Sequence, residues 1–141
     1  MALSTDLEIL NRVQRDVSGC FLQYVGDCWP WTTIGADGDK LKSIVDQCVA
    51  RQRESIRLMT EYLAPRQTRV EAGAFSADFT DLHYVSLKFL IKQLIATQSR
   101  VVEVIDRMST MLPSGDEVLE ILEVVGRTER SNLDALKASG S

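Results

Sequence analysis

Residues 114–136 read SGDEVLEILEVVGRTERSNLDAL, and the spacing of apolar side chains in this stretch decides the fold class. Apolar residues recur every three or four positions, which is the period of one face of an α-helix. The repeating positions are Val118, Leu122, Val125, Glu129, Asn132 and Leu136. Glu129 and Asn132 stand where a buried face normally holds Leu or Val. The stretch therefore predicts an amphipathic helix whose buried face includes two polar side chains.

The same spacing recurs in three other segments of the chain. In one of them, Gln52 and Ser55 are the polar side chains on the predicted buried face, and in another it is Gln98. We predict helices over residues 5–28, 38–64, 80–112 and 115–138. Spacings of three and four along several helices are typical of the seam of a helical bundle, so we expect an all-α four-helix bundle.

Local signals mark the ends of these helices. A Ser or Thr followed three residues later by Glu forms a capping box at two starts. These boxes are Thr5 with Glu8 and Ser114 with Glu117. Asp37 or Asp39 is the expected N-cap of the second helix. The second and third helices should end before Pro65 and Pro113, because proline disfavours helical geometry in the preceding residue.

The connections predict the topology. Helices one and two are joined by a short link, as are helices three and four, so each pair should form an antiparallel hairpin. Residues 65–79 are longer than the usual link between neighbouring helices and could span about 50 Å if extended. Phe75 and Phe79 should pack this segment against the helices. We therefore expect an up-down-down-up bundle with a long crossover between helices two and three.

These features together resemble the ferritin-like superfamily. The segments most similar to it are residues 10–13, leading to Tyr24 and Trp31, and residues 129–133. In members with a di-iron site, two helices each supply one Glu and the other two each supply Glu-x-x-His. Carried over by position, the resemblance places the ligand positions at Asp16, Gln52, Ser55, Gln98, Glu129 and Asn132.

This set of side chains is poor for two iron ions. Only Asp16 and Glu129 are carboxylates, no histidine falls on these positions, and imidazole with several anionic oxygens normally supplies the affinity. The only histidine, His83, lies several turns from Gln98. We therefore expect no metal, no cofactor and no catalytic residues. The six positions should form a polar mid-bundle layer, with Arg15, Arg51 or Arg53 reaching towards Glu129.

Three functions remain open from the sequence. The first is a non-catalytic bundle with a degenerate metal site, active in binding or assembly and expected to be a homodimer. The second is a di-metal oxidoreductase or metal-storage protein with an unusual ligand set. The third is a bundle that binds a small molecule in the polar layer. The alternative for the layer itself is a hydrogen-bond network that fixes the register of the helices.

Composition and charge limit the classes of partner and the cellular compartment that we expect. The chain has 141 residues, of which 45% are hydrophobic and 26% charged, as expected of a single globular domain over residues 1–141. A net charge of −4 disfavours nucleic acid and anionic membranes as partners. No apolar stretch is long enough to span a membrane, and no signal peptide is evident, so we expect a cytoplasmic protein.

The cysteines and tryptophans are expected to be structural. Cys20 and Cys28 are about 12 Å apart on one predicted helix, too far for a disulfide. Together with Cys48 they should be free thiols. Trp29 and Trp31 flank Pro30 and should form a hydrophobic plug at one end of the bundle, although a ligand-facing aromatic site is the alternative.

Overall fold

Five α-helices and no strand make up the part of the chain that the computed structural model describes, which is residues 5–29, 35–66, 74–76, 79 and 86–140. The helices are α1 (Thr5–Ser18), α2 (Phe21–Asp27), α3 (Ala36–Leu63), α4 (Leu87–Ser109) and α5 (Glu117–Ser139). The prediction of an all-α protein is confirmed. None of the described helices is both long and apolar enough to cross a membrane.

The first predicted helix is divided, so its prediction as one element over residues 5–28 is wrong. Cys20 has extended backbone angles, with φ −77° and ψ 165°, and is the N-cap of α2. Gly19 is a weak helix former, and the carbonyl oxygen of Arg15 accepts from the Ser18 hydroxyl as well as from the Gly19 N–H. These local preferences allow the helix to end at Ser18 and start again at Phe21.

The start of α3 lies earlier than predicted. Gly35 is its N-cap, with a φ of 104° that favours glycine, and it makes no side-chain capping bond. Asp37 and Asp39 lie inside the first turn, so the prediction that one of them is the N-cap is wrong. Their negative charges still favour the positive end of the helix dipole. The helix ends at Leu63, with Ala64 as C-cap, as the following Pro65 predicts.

The last two helices are shorter than predicted, and their N-caps lie elsewhere. Ser86 caps α4, because its hydroxyl accepts a hydrogen bond from the Phe89 N–H. The predicted start near residue 80 lies outside the described residues. Asp116 caps α5 by accepting from the Val118 N–H at 2.8 Å, so the predicted capping box of Ser114 with Glu117 is wrong.

The buried apolar residues form two clusters along the helices. One joins α2 to the first halves of α3 and α4 and includes Phe21, Val45 and Leu90. The other joins α1 to the second half of α3 and includes Val13 and Met59. The helix pairs in contact include α1 with α3, α3 with α5, α4 with α5 and α1 with α4. The polar side chains that are buried in the interior therefore lie among mainly apolar residues.

Part of the segment between α3 and α4 packs on α2. The Phe79 ring lies 5.0 Å from the ring of Phe21 and 5.3 Å from that of Tyr24. The Phe75 ring meets Tyr24 edge-on at 5.3 Å. The prediction that Phe75 and Phe79 anchor this segment is confirmed. Trp29 packs partly buried against the first cluster, whereas the other tryptophan lies outside the described residues.

Candidate functional site

The candidate site is centred on Glu129, a carboxylate buried in the interior. The helical spacing of α5 turns Glu129 and Asn132 inward together with Val125 and Leu136, and all four side chains are buried. Glu129 has no exposed surface at all. A charged group in such a place is rare in proteins unless it is paired or hydrogen bonded, so its partners decide its role.

Two glutamine amides hold one oxygen of this carboxylate. Gln52 Nε2 donates to Glu129 Oε2 at 2.8 Å, and Gln98 Nε2 donates to the same oxygen at 2.6 Å. Gln98 Nε2 also lies 3.1 Å from the backbone oxygen of Glu129. The network therefore joins α3, α4 and α5, and it includes three of the six side chains that the sequence analysis selected.

Gln52 extends the network to α2. Its Oε1 accepts from Gln23 Nε2 at 2.8 Å and from the Cys20 thiol at 3.3 Å. Both side chains are buried, and Cys20 is the residue at which α2 begins. The break between α1 and α2 therefore lies beside the polar residues.

Asn132 forms a second branch on α5. Its Nδ2 donates to the carbonyl oxygen of Cys48 at 3.3 Å, and its Oδ1 accepts from Arg51 Nε at 2.9 Å. Arg51 Nη2 also lies 3.5 Å from the Cys48 sulfur. The prediction that an arginine reaches towards Glu129 holds in part, since Arg51 reaches Asn132. Arg53 instead pairs with Asp27 at the surface.

The structure does not bring all six predicted positions together. Asp16 lies on the exposed side of α1, 3.9 Å from Arg12, so its placement in the polar layer is wrong. It is adjacent to the buried Val17, and neighbouring positions of a helix point about 100° apart. Ser55 is buried on α3, one turn from Gln52, but it does not hydrogen bond to Glu129.

Three members of the buried polar set were missed by the sequence analysis. Cys20 and Gln23 bond to Gln52, and Gln14 is only 3% exposed on the inner face of α1. Gln14 follows Val13 and precedes Val17 by three positions, so its helical spacing could have revealed it. Cys20 follows Val17 by three positions, so helical spacing predicts its burial but not its hydrogen bond to Gln52. Gln23 gave no such signal, because the helix breaks before α2.

Burial raises the pKa of Glu129 above its ordinary value of 4.5. Nearby amides and one guanidinium act in the opposite direction without reversing the shift. These groups are Gln98, Gln52, Asn132 and Arg51. Burial also raises the pKa of the Cys20 thiol to about 11. A thiol with such a pKa is a poor nucleophile at neutral pH, so Cys20 does not support thiol catalysis.

The polar residues do not fit a di-metal centre. Among the described residues, no group of three or more His, Cys, Asp and Glu side chains could hold a metal ion. Glu129 is the one carboxylate in the network, and Gln52 and Gln98 direct N–H groups towards it. A di-metal centre needs several anionic or imidazole ligands, and this network supplies a single carboxylate with neutral amides. His83 lies outside the described residues.

Comparisons of the chain with models of known protein families, with curated proteins and with solved structures gave no match. A function for this chain is therefore inferred from the contacts and charges of its buried polar residues.

Proposed function

We propose that this chain is a ferritin-like four-helix bundle that serves in binding or assembly and has no catalytic metal centre. The observation that carries the proposal is the pairing of Glu129 with Gln52 and Gln98. Both amides donate to one oxygen of the carboxylate, from positions where a di-iron bundle would place metal ligands. The polar layer then joins the helices instead of binding metal.

Contacts between helices support an up-down-down-up arrangement in which α1 and α2 together form the first helix. On α3 and α5, Gln52 bonds to Glu129, whereas the earlier Cys48 contacts the later Asn132. On α4 and α5, a Cβ added to Gly126 would lie 3.4 Å from Ile105, and one on Gly140 would lie 3.0 Å from Ile91. Both pairs run in opposite directions.

The first helix fits the same arrangement. Gln23 on α2 bonds to Gln52, and a Cβ on Gly26 would lie 2.8 Å from Val49, so α2 and α3 run in opposite directions. Neighbours in space are α1 with α3, α3 with α5, α5 with α4, and α4 with α1. These relations support a parallel course of α3 and α4, which a long crossover makes possible.

Metal analysis of the purified full chain tests the absence of a metal centre. We expect far less than one equivalent of iron or manganese per chain after expression in medium supplemented with both. Adding Fe²⁺ or Mn²⁺ should leave the melting temperature unchanged, because a ligand stabilises a protein only if it binds the folded state preferentially. Two equivalents of either metal per chain would overturn the proposal in favour of a di-metal protein.

We propose that assembly takes the form of a homodimer through the groove between α3 and α5. This groove, of about 530 Å³, contains Leu58, Tyr62, Ile121 and Val124, and Val124 is 42% exposed. Its rim carries both signs of charge, with Glu61 and Arg66 on one side and Glu117 and Glu120 on the other. A two-fold interface pairs a surface with itself, so apolar contacts and charges of both signs in one patch favour a second copy.

Sedimentation of the full chain with one substitution in the groove tests this surface. We expect a dimer for the wild type and a monomer for Val124→Asp, because the new carboxylate would be buried in the interface. Met111→Asp is the matched control, since Met111 is 59% exposed and lies outside the groove. A wild-type monomer at high concentration, or equal dissociation of both variants, would exclude this interface.

A further inference from the structure

Glu129 is a buried acid that forms no ion pair with the described residues. The ion pairs among the described residues lie at the surface and do not include it. Its Oε2 accepts both amide bonds, while its Oε1 is buried and has no hydrogen-bond donor among the described residues. The Oε1 of Gln98 is a second buried acceptor without a donor. The network thus has too few hydrogens for its oxygen atoms.

A proton on Oε1 removes the negative charge from this unpaired oxygen. An ionised carboxylate offers only acceptors, so one charged oxygen would remain unpaired in the core, at high cost in free energy. The protonated acid has no charge, and its Oε2 can still accept from Gln52 and Gln98. Neutral amides, rather than guanidinium or ammonium groups, are the partners that suit an uncharged acid.

The groups that face Glu129 from the surrounding helices are nearly all uncharged. From α2 it meets the Cys20 thiol, and from α4 the amide of Gln98. From α3 it meets the Cys48 thiol and the charge of Arg51. The inward residues of α1 are apolar apart from an amide at position 14, and Asn132 is the neighbour on α5. Among the described residues, Arg51 is thus the single cation that acts on Glu129, and its Nε bonds to Asn132.

We propose that Glu129 is a proton-binding site that couples the packing of the helices to pH: in the folded protein it holds a proton on Oε1 at pH values at which an exposed glutamate is ionised. The inference goes beyond the proposed function, because it depends on the surroundings of one carboxyl group and not on assembly. Burial raises the pKa of Glu129, in agreement with this geometry.

The sign of the pH effect follows from linkage. Because the folded protein binds this proton more tightly than the unfolded chain, the contribution to stability is complete below about pH 4.5, the ordinary value for Glu. It is lost as the pH rises through the pKa of Glu129 in the folded state. Over that window the unfolding equilibrium constant should increase by up to tenfold per pH unit through this residue.

Denaturant unfolding of the wild type and of Glu129→Gln between pH 4.5 and 9 tests the proposal. Gln resembles the neutral acid in shape, so the variant should keep the fold, lose this pH dependence and become more stable than the wild type as the pH rises. Glu123→Gln is the matched control, because Glu123 is exposed on the same helix, and it should retain the wild-type pH dependence. Infrared spectra should show a protonated carboxylic acid band in the wild type that is absent in Glu129→Gln.

Two results would overturn the inference. One is a wild type without the acid band at any pH above 4.5. The other is a Glu129→Gln variant that is less stable than the wild type and keeps its pH dependence. Either result would leave the proposed function in place, because that depends on metal content. Conversely, bound iron or manganese would remove the proposed function, and repeating the titration on metal-free protein would still decide the protonation of Glu129.

Discussion

Gln52 links the two ends of the buried hydrogen-bond network, because both atoms of its amide are engaged. Its Nε2 donates to Glu129, and its Oε1 accepts from Gln23 and Cys20. No other side chain in the network connects α2 with α5 through one amide. The stability of the polar layer should therefore depend more on Gln52 than on any residue at its edge.

Replacing Gln52 by Leu should destabilise the protein by about 2–4 kcal/mol, since it removes the buried hydrogen bonds that Gln52 makes to Gln23 and to Glu129. Urea unfolding at fixed pH measures this change. Gln47→Leu on the exposed side of the same helix should change stability by less than about 0.5 kcal/mol. Equal effects of the two substitutions would show that the hydrogen bonds of Gln52 contribute nothing specific.

The sequence predicted most residues of this layer, and one error has a clear physical cause. Gln52, Gln98 and Glu129 break otherwise apolar stripes, so their burial follows from helical spacing alone. Asp16 was assigned by resemblance rather than by the stripe of its own helix, which contains Val17 instead. Cys20 follows Val17 at helical spacing, so its burial is predictable, but helical periodicity does not predict that the helix breaks at this residue.

For the helices, the sequence predicted which segments are helical more accurately than it predicted where each helix begins and ends. Apolar spacing depends on the whole helix, whereas a cap depends on the conformation of one residue. Ser114 and Asp116 both precede the apolar stripe of α5, and either can cap a helix. The side chain of Asp116 makes the capping bond, which places the start of α5 two residues later than predicted.

The N-cap of α5 gives a direct comparison between these two residues. Asp116→Ala should cost about 1 kcal/mol, because the Val118 N–H loses its acceptor and the helix loses a negative charge at its positive end. Ser114→Ala should change stability by less than about 0.5 kcal/mol. Thermal unfolding of both variants measures the difference. A larger loss in Ser114→Ala would favour the capping box that the sequence suggested.

For the whole molecule, the length of the segment between α3 and α4 was the strongest sequence signal for topology. Two short links make hairpins, but only a long connection lets α3 and α4 run in the same direction. Phe75 and Phe79 lie in the segment between α3 and α4, and their rings pack on α2. The sequence could predict that these residues pack against a helix, although it could not say which one.

The proposed direction of α4 relative to α3 predicts a short distance between their first turns. Lys40 and Lys88 line one groove of about 570 Å³, together with Ile44, Ile91 and Ala135. Both lysines are exposed at the starts of their helices, so a short amine-reactive cross-linker should join them. If α4 ran in the opposite direction, Lys88 would lie at the far end of α3, and this link would not form.

Mass spectrometry of cross-linked peptides detects the Lys40–Lys88 link directly. An equal mixture of ¹⁴N- and ¹⁵N-labelled chains separates links within one chain from links between chains. We expect the Lys40–Lys88 peptide pair with the same label on both peptides. Lys88→Arg is the control, since it keeps the charge and removes the reactive amine. A mixed-label pair would place the two lysines in different copies, and a missing pair in folded protein would reject the parallel course of α3 and α4. That course is what distinguishes an up-down-down-up bundle from one whose consecutive helices are all antiparallel.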